Sequence, residues 1–293
     1  MTPNPFCMCC AIKKQEQHIR QFSDMEKKTE YMKKVMRMIA DAEPDDCIPS
    51  LSTKINKFFC EYWNQPAADY TSIKKEFNQL MLNIEDSIEQ TIRHSADPLH
   101  TALLYARLGN YIDFAALSDV KPETVLSLLN DSNKEPLDPK EYDFFCDELK
   151  KASHLVYLTD NCGEVVLDKL VVKLLKELYP DLQISVIVRG FPTINDATME
   201  DAQEIGLTEL VPVIGNGSDV CGTWLPRISS DARTLMNEAD LIISKGQGNY
   251  ETLHGCGLNI YYLFLCKCEW FQMQFHAKPL QGMFLNERHI MTN

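Results

Sequence analysis

The chain has 293 residues, of which 45% are hydrophobic and 24% charged, the balance of an ordinary globular protein and a poor fit to disorder, collagen or coiled coil. With 29 Lys and Arg against 42 Asp and Glu the net charge is −13, which opposes phosphate backbones and anionic bilayers, so neither nucleic acid nor membrane is an expected partner. The longest apolar runs, such as Leu258 to Cys266, fall short of the ~20 residues of a membrane span, and no basic segment leads into an apolar stretch near the start, so a cytoplasmic location is expected.

In chain order, Met25 to Ile39 places Met25, Tyr31, Met32, Val35, Met36 and Ile39 on one face, with Lys27, Lys28, Lys33, Lys34 and Arg37 opposite. That is an amphipathic helix with a solvated basic face. Further helical patterns occupy Leu51 to Tyr62, Tyr70 to Ile92 and Asp97 to Leu108, and no alternating strand pattern appears before residue 150. The breaker-rich stretch Asn130 to Pro139 marks a boundary, giving a helical N-terminal subdomain over 1–140 and an α/β subdomain over 141–293.

Beyond that boundary, strand-length runs at His154 to Leu158, Ile184 to Val188, Leu210 to Ile214 and Leu241 to Ser244 alternate with helices. The helices are expected at Glu164 to Leu178, Ala197 to Ile205 and Ser229 to Ala239. This rhythm predicts an α/β fold, a mostly parallel sheet flanked by helices in a Rossmann-like three-layer arrangement. Ligands of such sheets lie outside the carboxyl ends of the strands, so the residues after each strand are the candidates.

After the first strand come Asp160 and Asn161, hard oxygen donors suited to Mg²⁺ or Mn²⁺, followed by Gly163, which allows a tight turn. Taken alone, Asp or Asn before a helix is equally a cap. The second strand ends near Arg189 and Gly190 and brings Asn195, Asp196 and then Asp201 to the same edge. The fourth runs into Lys245-Gly246-Gln247-Gly248-Asn249, a compact cation beside two glycines that free backbone amides for an anion. Neither dinucleotide-binding nor P-loop glycine patterns are present. A hard metal held by acidic ligands beside a lysine suits phosphoryl chemistry.

These three motifs, with Gly109-Asn110-Tyr111-Ile112-Asp113 in the helical half, resemble the damage-control phosphatase family over most of the chain. Cys7-x-x-Cys10 and Leu265-Cys266-Lys267-Cys268 are similar to its cysteine-containing branch. The resemblance implies a metal-dependent phosphatase that hydrolyses phosphomonoesters of small phosphorylated metabolites, either sugar phosphates or damaged phosphometabolites. It implies a divalent cation (Mn²⁺, Co²⁺, Ni²⁺ or Mg²⁺) on Asp160, Asn161 and Asp196. It also implies that Glu164, Asn195, Gly246, Gln247, Gly248, Asn249 and Lys267 face the substrate, with Lys245 and Lys267 on its phosphate. Two routes stay open: attack by water with Lys245 as a second positive contact, or attack by Asp160 on phosphorus.

Two other functions remain in view. One is an S-adenosylmethionine-dependent carboxyl methyltransferase, for which the first turn offers only one glycine, and the other is a non-enzymatic metabolite-binding module. The tail from Trp270 to His276 is more aromatic than the resemblance leads one to expect. The odd count of eleven cysteines suits reduced thiols. Cys7, Cys9 and Cys10 with Cys266 and Cys268 could supply thiolates to a Zn²⁺, with a reduced cluster or a redox pair as the other readings. Cys162, His154 and His254 are expected to be structural.

Overall fold

The apolar runs after residue 150 build the centre of the molecule. In the computed structural model, which describes residues 1–109 and 136–290, β1 (His154–Leu158), β2 (Gln183–Val188), β3 (Val213–Gly215), β4 (Leu241–Lys245) and β5 (Ile260–Leu265) run parallel. A final β6 (Gly282–Asn286) lies antiparallel to β5, and the strand order is β3-β2-β1-β4-β5-β6. Every residue of β4 and β5 is buried, as continuous apolar strands must be when helices cover both faces. The chain leaves β1 in one direction through β2 and β3 and returns on the other side at β4, so the order reverses between β1 and β4 and opens a crevice there.

The helical half contributes α1 (Pro5–Ile19), α2 (Met25–Ala40), α3 (Ile48–Trp63), α4 (Thr71–Arg93), α5 (Pro98–Leu108) and α6 (Pro139–Leu149). Asn4, Asp24, Asp97 and Asp138 cap α1, α2, α5 and α6 through their side chains. Between and after the strands lie α7 (Glu164–Leu178), α8 (Met199–Glu204), α9 (Ser230–Glu238), α10 (Gln247–Leu253), α11 (Glu269–Phe275) and α12 (Glu287–Ile290). Side chains alternate across the sheet. Leu155, Tyr157, Val186, Ile243 and Leu263 join α4, α5 and α7 in one core, while Val156, Leu158, Ile242, Tyr262 and Phe264 pack with α9, α10 and α11 in the other. A third cluster of Ile19, Tyr31, Val35, Ile39, Ile55 and Trp63 belongs to α1, α2 and α3. Helices α4 and α5 therefore share their core with the sheet.

The expected strand at Leu210 to Ile214 is shorter and later. Pro212 has no N–H to give a ladder, so only its carbonyl contributes, accepting from Val186 N at 2.9 Å, and regular pairing starts at Val213. The run Leu258 to Cys266 contains β5, and α1, α6 and β6 carried no singled-out pattern. The aromatic tail is packed: Phe271 and Phe275 of α11 sit 5.3 Å and 5.6 Å from the Tyr250 ring, and Trp270 stacks on Phe6 of α1. Asn110 to Asp113 and most of the Asn130-to-Pro139 boundary lie outside the described residues. Among the described residues, no helix is long and apolar enough to cross a membrane.

Candidate functional site

Two loops at the carboxyl edge are laced together by their backbones. Ala197 N donates to Asp160 O at 2.7 Å, Cys162 N donates to Asn195 O at 2.8 Å, and Asn161 bridges Asp196 in antiparallel fashion. This brings Asp160 and Asn161, from the β1 loop, to Asp196, from the β2 loop. Each loop needs an unusual backbone to do so. Gly163 turns into α7 with φ +78°, its N–H held by Asn78 Oδ1 of α4 at 2.8 Å. Ile194 takes φ +47°, costly for a β-branched residue and the kind of strain that gathers at functional loops.

The third loop closes on the first at the switch point. Gly246 has φ +78°, and a Cβ there would lie 2.0 Å from Asp160 Oδ2, so only glycine lets that carboxylate lie against the end of β4. Asn249 is fully buried and ties the strand ends. Its Nδ2 donates to Thr159 O at 3.0 Å and to Lys245 O at 2.7 Å, while Oδ1 accepts from Thr223 at 2.8 Å.

Charge is concentrated behind these loops. Lys245 is 0% exposed, with Nζ 2.9 Å from Glu164 Oε1 and 2.7 Å from Asp168 Oδ1. Glu164 and Asp168 stand one turn apart on α7, each 1% exposed, and Tyr157 OH donates to Asp168 Oδ1 at 2.7 Å. Arg189, at the end of β2 and also buried, donates Nε to Asp196 Oδ2 at 2.5 Å and Nη1 to Gly222 O. Its Nη2 is 3.8 Å from Asp160 Oδ1 and has no hydrogen-bond partner among the described residues. Four carboxylates (Asp160, Glu164, Asp168, Asp196) thus gather around two buried cations (Lys245, Arg189).

Burial and the crowding of acids shift these carboxyls upward. Burial, reinforced by the charges of Glu164 and Asp196 and opposed by Arg189 and Lys267, pushes Asp160 up to about 8. Burial also raises Asp196 against the opposing Arg189. Asp168 is pushed up to about 6 by burial, with Lys245 holding it down. A divalent cation would favour the ionised carboxylates, and carboxylate and amide oxygens are the donors a hard cation takes. Asp160, Asn161 and Asp196 therefore fit a metal by donor chemistry and charge. Among the described residues no three His, Cys, Asp or Glu side chains are gathered as a metal site; the set proposed by donor chemistry includes the amide oxygen of Asn161.

The residues expected at the substrate divide in two. Lys267 is exposed, Gln247 and Asn195 are half-buried, and Gly246 and Gly248 line the turn before and within α10. Gln247 accepts from Lys267 N at 3.2 Å and donates to Glu251 at 2.8 Å. Lys245, Glu164 and Asn249 instead point inward, onto protein partners. Arg189 and Asp168 had no expected role; the i, i+4 spacing from Glu164 would have singled out Asp168. Asp201 is the N3 residue of a capping box on α8, accepting from Thr198 N at 2.8 Å and Lys74 Nζ at 2.7 Å. An open cleft of about 610 Å³ lies beside Thr193 and Ile194, with Lys74 and Asp201 on its wall, but none of the three metal candidates lines it. Cys162 is buried, and burial raises its thiol far above the ordinary range, as suits packing. Cys9 and Cys10 are exposed while Cys266 is buried.

The chain is similar to several known proteins over much of its length. An uncharacterised protein of Methanocaldococcus jannaschii is 28% identical over 275 residues, covering 90% of this chain and 89% of that one. The damage-control phosphatase PH1575 of Pyrococcus horikoshii is 26% identical over 266 residues, covering 89% of this chain and 90% of that one. A damage-control phosphatase of Archaeoglobus fulgidus is 31% identical over 205 residues, 68% of this chain and 69% of the other. The crystal structure of a DUF89 family protein from Pyrococcus horikoshii superposes with a TM-score of 0.81 at 24% identity, covering 98% of this chain and 99% of that one, which shows the same fold. The family model for the damage-control phosphatase ARMT1-like domain matches residues 4–279, and the chain belongs to that family.

Proposed function

We propose that the chain is a metal-dependent phosphatase acting on small phosphorylated metabolites, either sugar phosphates or damaged phosphometabolites. The observation that carries this is the lacing of two loops by backbone hydrogen bonds, which brings the oxygen donors of Asp160, Asn161 and Asp196 together at the carboxyl edge of the sheet, the donor chemistry a hard divalent cation takes. Asp160, Asn161 and Asp196 would hold Mn²⁺, Co²⁺, Ni²⁺ or Mg²⁺. Such a cation supplies Lewis acidity toward a phosphoryl oxygen and lowers the pKa of bound water.

The chain's own residues do the rest. Lys267, exposed on the loop after β5, with Gln247, Asn195 and the backbone at Gly246 and Gly248, would take the phosphate and its substituent. Glu164 and Asn249 serve the same substrate from behind, by fixing the loops that meet it. Lys245 pairs with Glu164 and Asp168 inside the protein, so its charge acts on the site through them. Asp160 lies at the point where the β1 and β4 loops touch and would either attack phosphorus or hold the metal for attack by water; trapping of an aspartyl-phosphate separates the two routes.

The test is phosphate release from a generic phosphomonoester by the pure protein, with each cation and with chelator. Release that stops in chelator and returns with Mn²⁺, Co²⁺ or Ni²⁺ is expected. A methyltransferase or a binding module would release none, and full turnover in saturating chelator would refute the metal requirement.

A further inference from the structure

An unbroken line of hydrogen bonds runs from the interior to the candidate metal ligands. Tyr157 OH and Lys245 Nζ both donate to Asp168 Oδ1, each at 2.7 Å, and Lys245 donates on to Glu164 Oε1 at 2.9 Å. The other oxygen of Glu164 accepts from Asn161 Nδ2 at 3.3 Å, and the same nitrogen donates to Asp160 Oδ2 at 2.8 Å. Ionised carboxylates only accept hydrogen bonds, and a carboxylate that ligates a metal is ionised. With two of them on one side of the Asn161 amide, its nitrogen must face them, and its oxygen is left for a cation. The orientation of a metal ligand is therefore set by Glu164, and that of Glu164 by Lys245.

Asp168 is the far anchor of this line. It is 1% exposed, and its Oδ2 has no hydrogen-bond partner among the described residues. A buried carboxylate with one oxygen unpartnered is a poor stabiliser, because desolvation outweighs much of its ion-pair energy. Its geometry is better accounted for by what it holds. Without Asp168, Lys245 would turn both its reach and its charge onto Glu164, compete with Asn161 for Oε2, and release the amide.

We infer that Asp168 is a positioning residue of the metal site: through Lys245 and Glu164 it fixes the Asn161 amide with its oxygen toward the cation. This rests on the metal reading above. Outer partners of metal ligands are worth about 10- to 100-fold in affinity, and Asp168 acts at the end of such a chain, so an effect of about tenfold is expected.

The experiment uses the full chain as wild type, Asp168→Ala and Asp168→Asn, the last in case the alanine protein does not fold. Free Mn²⁺ is followed by electron paramagnetic resonance during titration. In parallel, the side-chain amide signal of Asn161, assigned by its loss in Asn161→Asp, is recorded by ¹⁵N spectroscopy on the metal-free proteins. Each folded variant should bind Mn²⁺ about tenfold more weakly and show a shifted, faster-exchanging Asn161 amide. A purely structural Asp168 would lower the melting temperature and move neither readout. An unmoved amide signal, or a Kd within about twofold of wild type, overturns the inference. Absence of Mn²⁺ binding by the wild type overturns the metal reading together with the inference, and it is recognised before any substitution is made.

Discussion

Replacing Lys245 by Met tests the buried charge cluster most directly. The ammonium group is 0% exposed and both its carboxylate partners are 1% exposed, so solvent screens neither contact. Removing one partner of a buried pair costs about 3–5 kcal/mol, which is roughly two to almost four powers of ten in the folding constant. Burial lowers the Lys245 pKa, but Asp168 and Glu164 together raise it above its ordinary 10.5. Its stabilisation is therefore complete at pH 7 and is lost only as the pH rises through that raised value. In the variant, Glu164 and Asp168 lose their cation while remaining buried. Burial already pushes Asp168 up to about 6 with the lysine holding it down, so without the lysine Asp168 takes a proton more readily and the deficit shrinks as the pH falls toward 5. Urea unfolding of both proteins in chelator, at pH 5, 6, 7 and 8, reads the difference directly. A loss below about 1 kcal/mol at pH 7, the range of an exposed ion pair, would refute the cluster and return Lys245 to a solvent-facing role.

Metal binding should release about one proton at pH 7, because the metal-free Asp160 titrates near 8. Apparent Mn²⁺ affinity should then rise roughly tenfold from pH 6 to 7 and level off above 8; calorimetry in buffers of different ionisation heat measures the proton, and a buffer-independent heat would contradict it. Gly246→Ala puts a Cβ 2.0 Å from Asp160 Oδ2 at a positive φ, so it should cost ~1–3 kcal/mol in a thermal melt and displace Asp160 enough to weaken Mn²⁺ binding; unchanged binding would show that Asp160 is not held there. For Asp201, burial pushes the pKa up but bonds from Lys74 and Thr198 outweigh it, so the folded value lies below 3.8. Its contribution is present above pH 4 and lost as the pH falls through the folded value. Asp201→Asn should cost about 1.5–3 kcal/mol at pH 7, in a gap that closes at lower pH; a gap independent of pH would mean that shape, and not charge, is what Asp201 supplies.

Much of the fold was legible in local sequence because apolar run length and turn chemistry are local properties. His154–Leu158 and Glu164–Leu178 begin and end where the pattern places them, since Gly163 breaks the chain between them and the apolar faces are continuous. The loops carrying Asp160, Asn161 and Asp196 were equally legible, because a parallel sheet puts every strand's carboxyl end at one edge. Strand Val213–Gly215 was less so, since Pro212 withholds the N–H that the apolar run seemed to offer.

Sequence by itself determined which residues stand at the edge of the sheet, through strand spacing and the acidic and glycine-rich turns that follow each strand. Tertiary structure alone decided which way they face. Lys245 follows the fourth strand as a phosphate contact would, yet it points inward because Glu164 and Asp168, some eighty residues earlier, arrive beside it only when α7 packs on the sheet. Arg189 meets Asp196 and Asp160 only once the two loops are laced by backbone hydrogen bonds. Side-chain direction in a buried site is fixed by the balance of charge across several loops, and that balance exists only after the chain has closed.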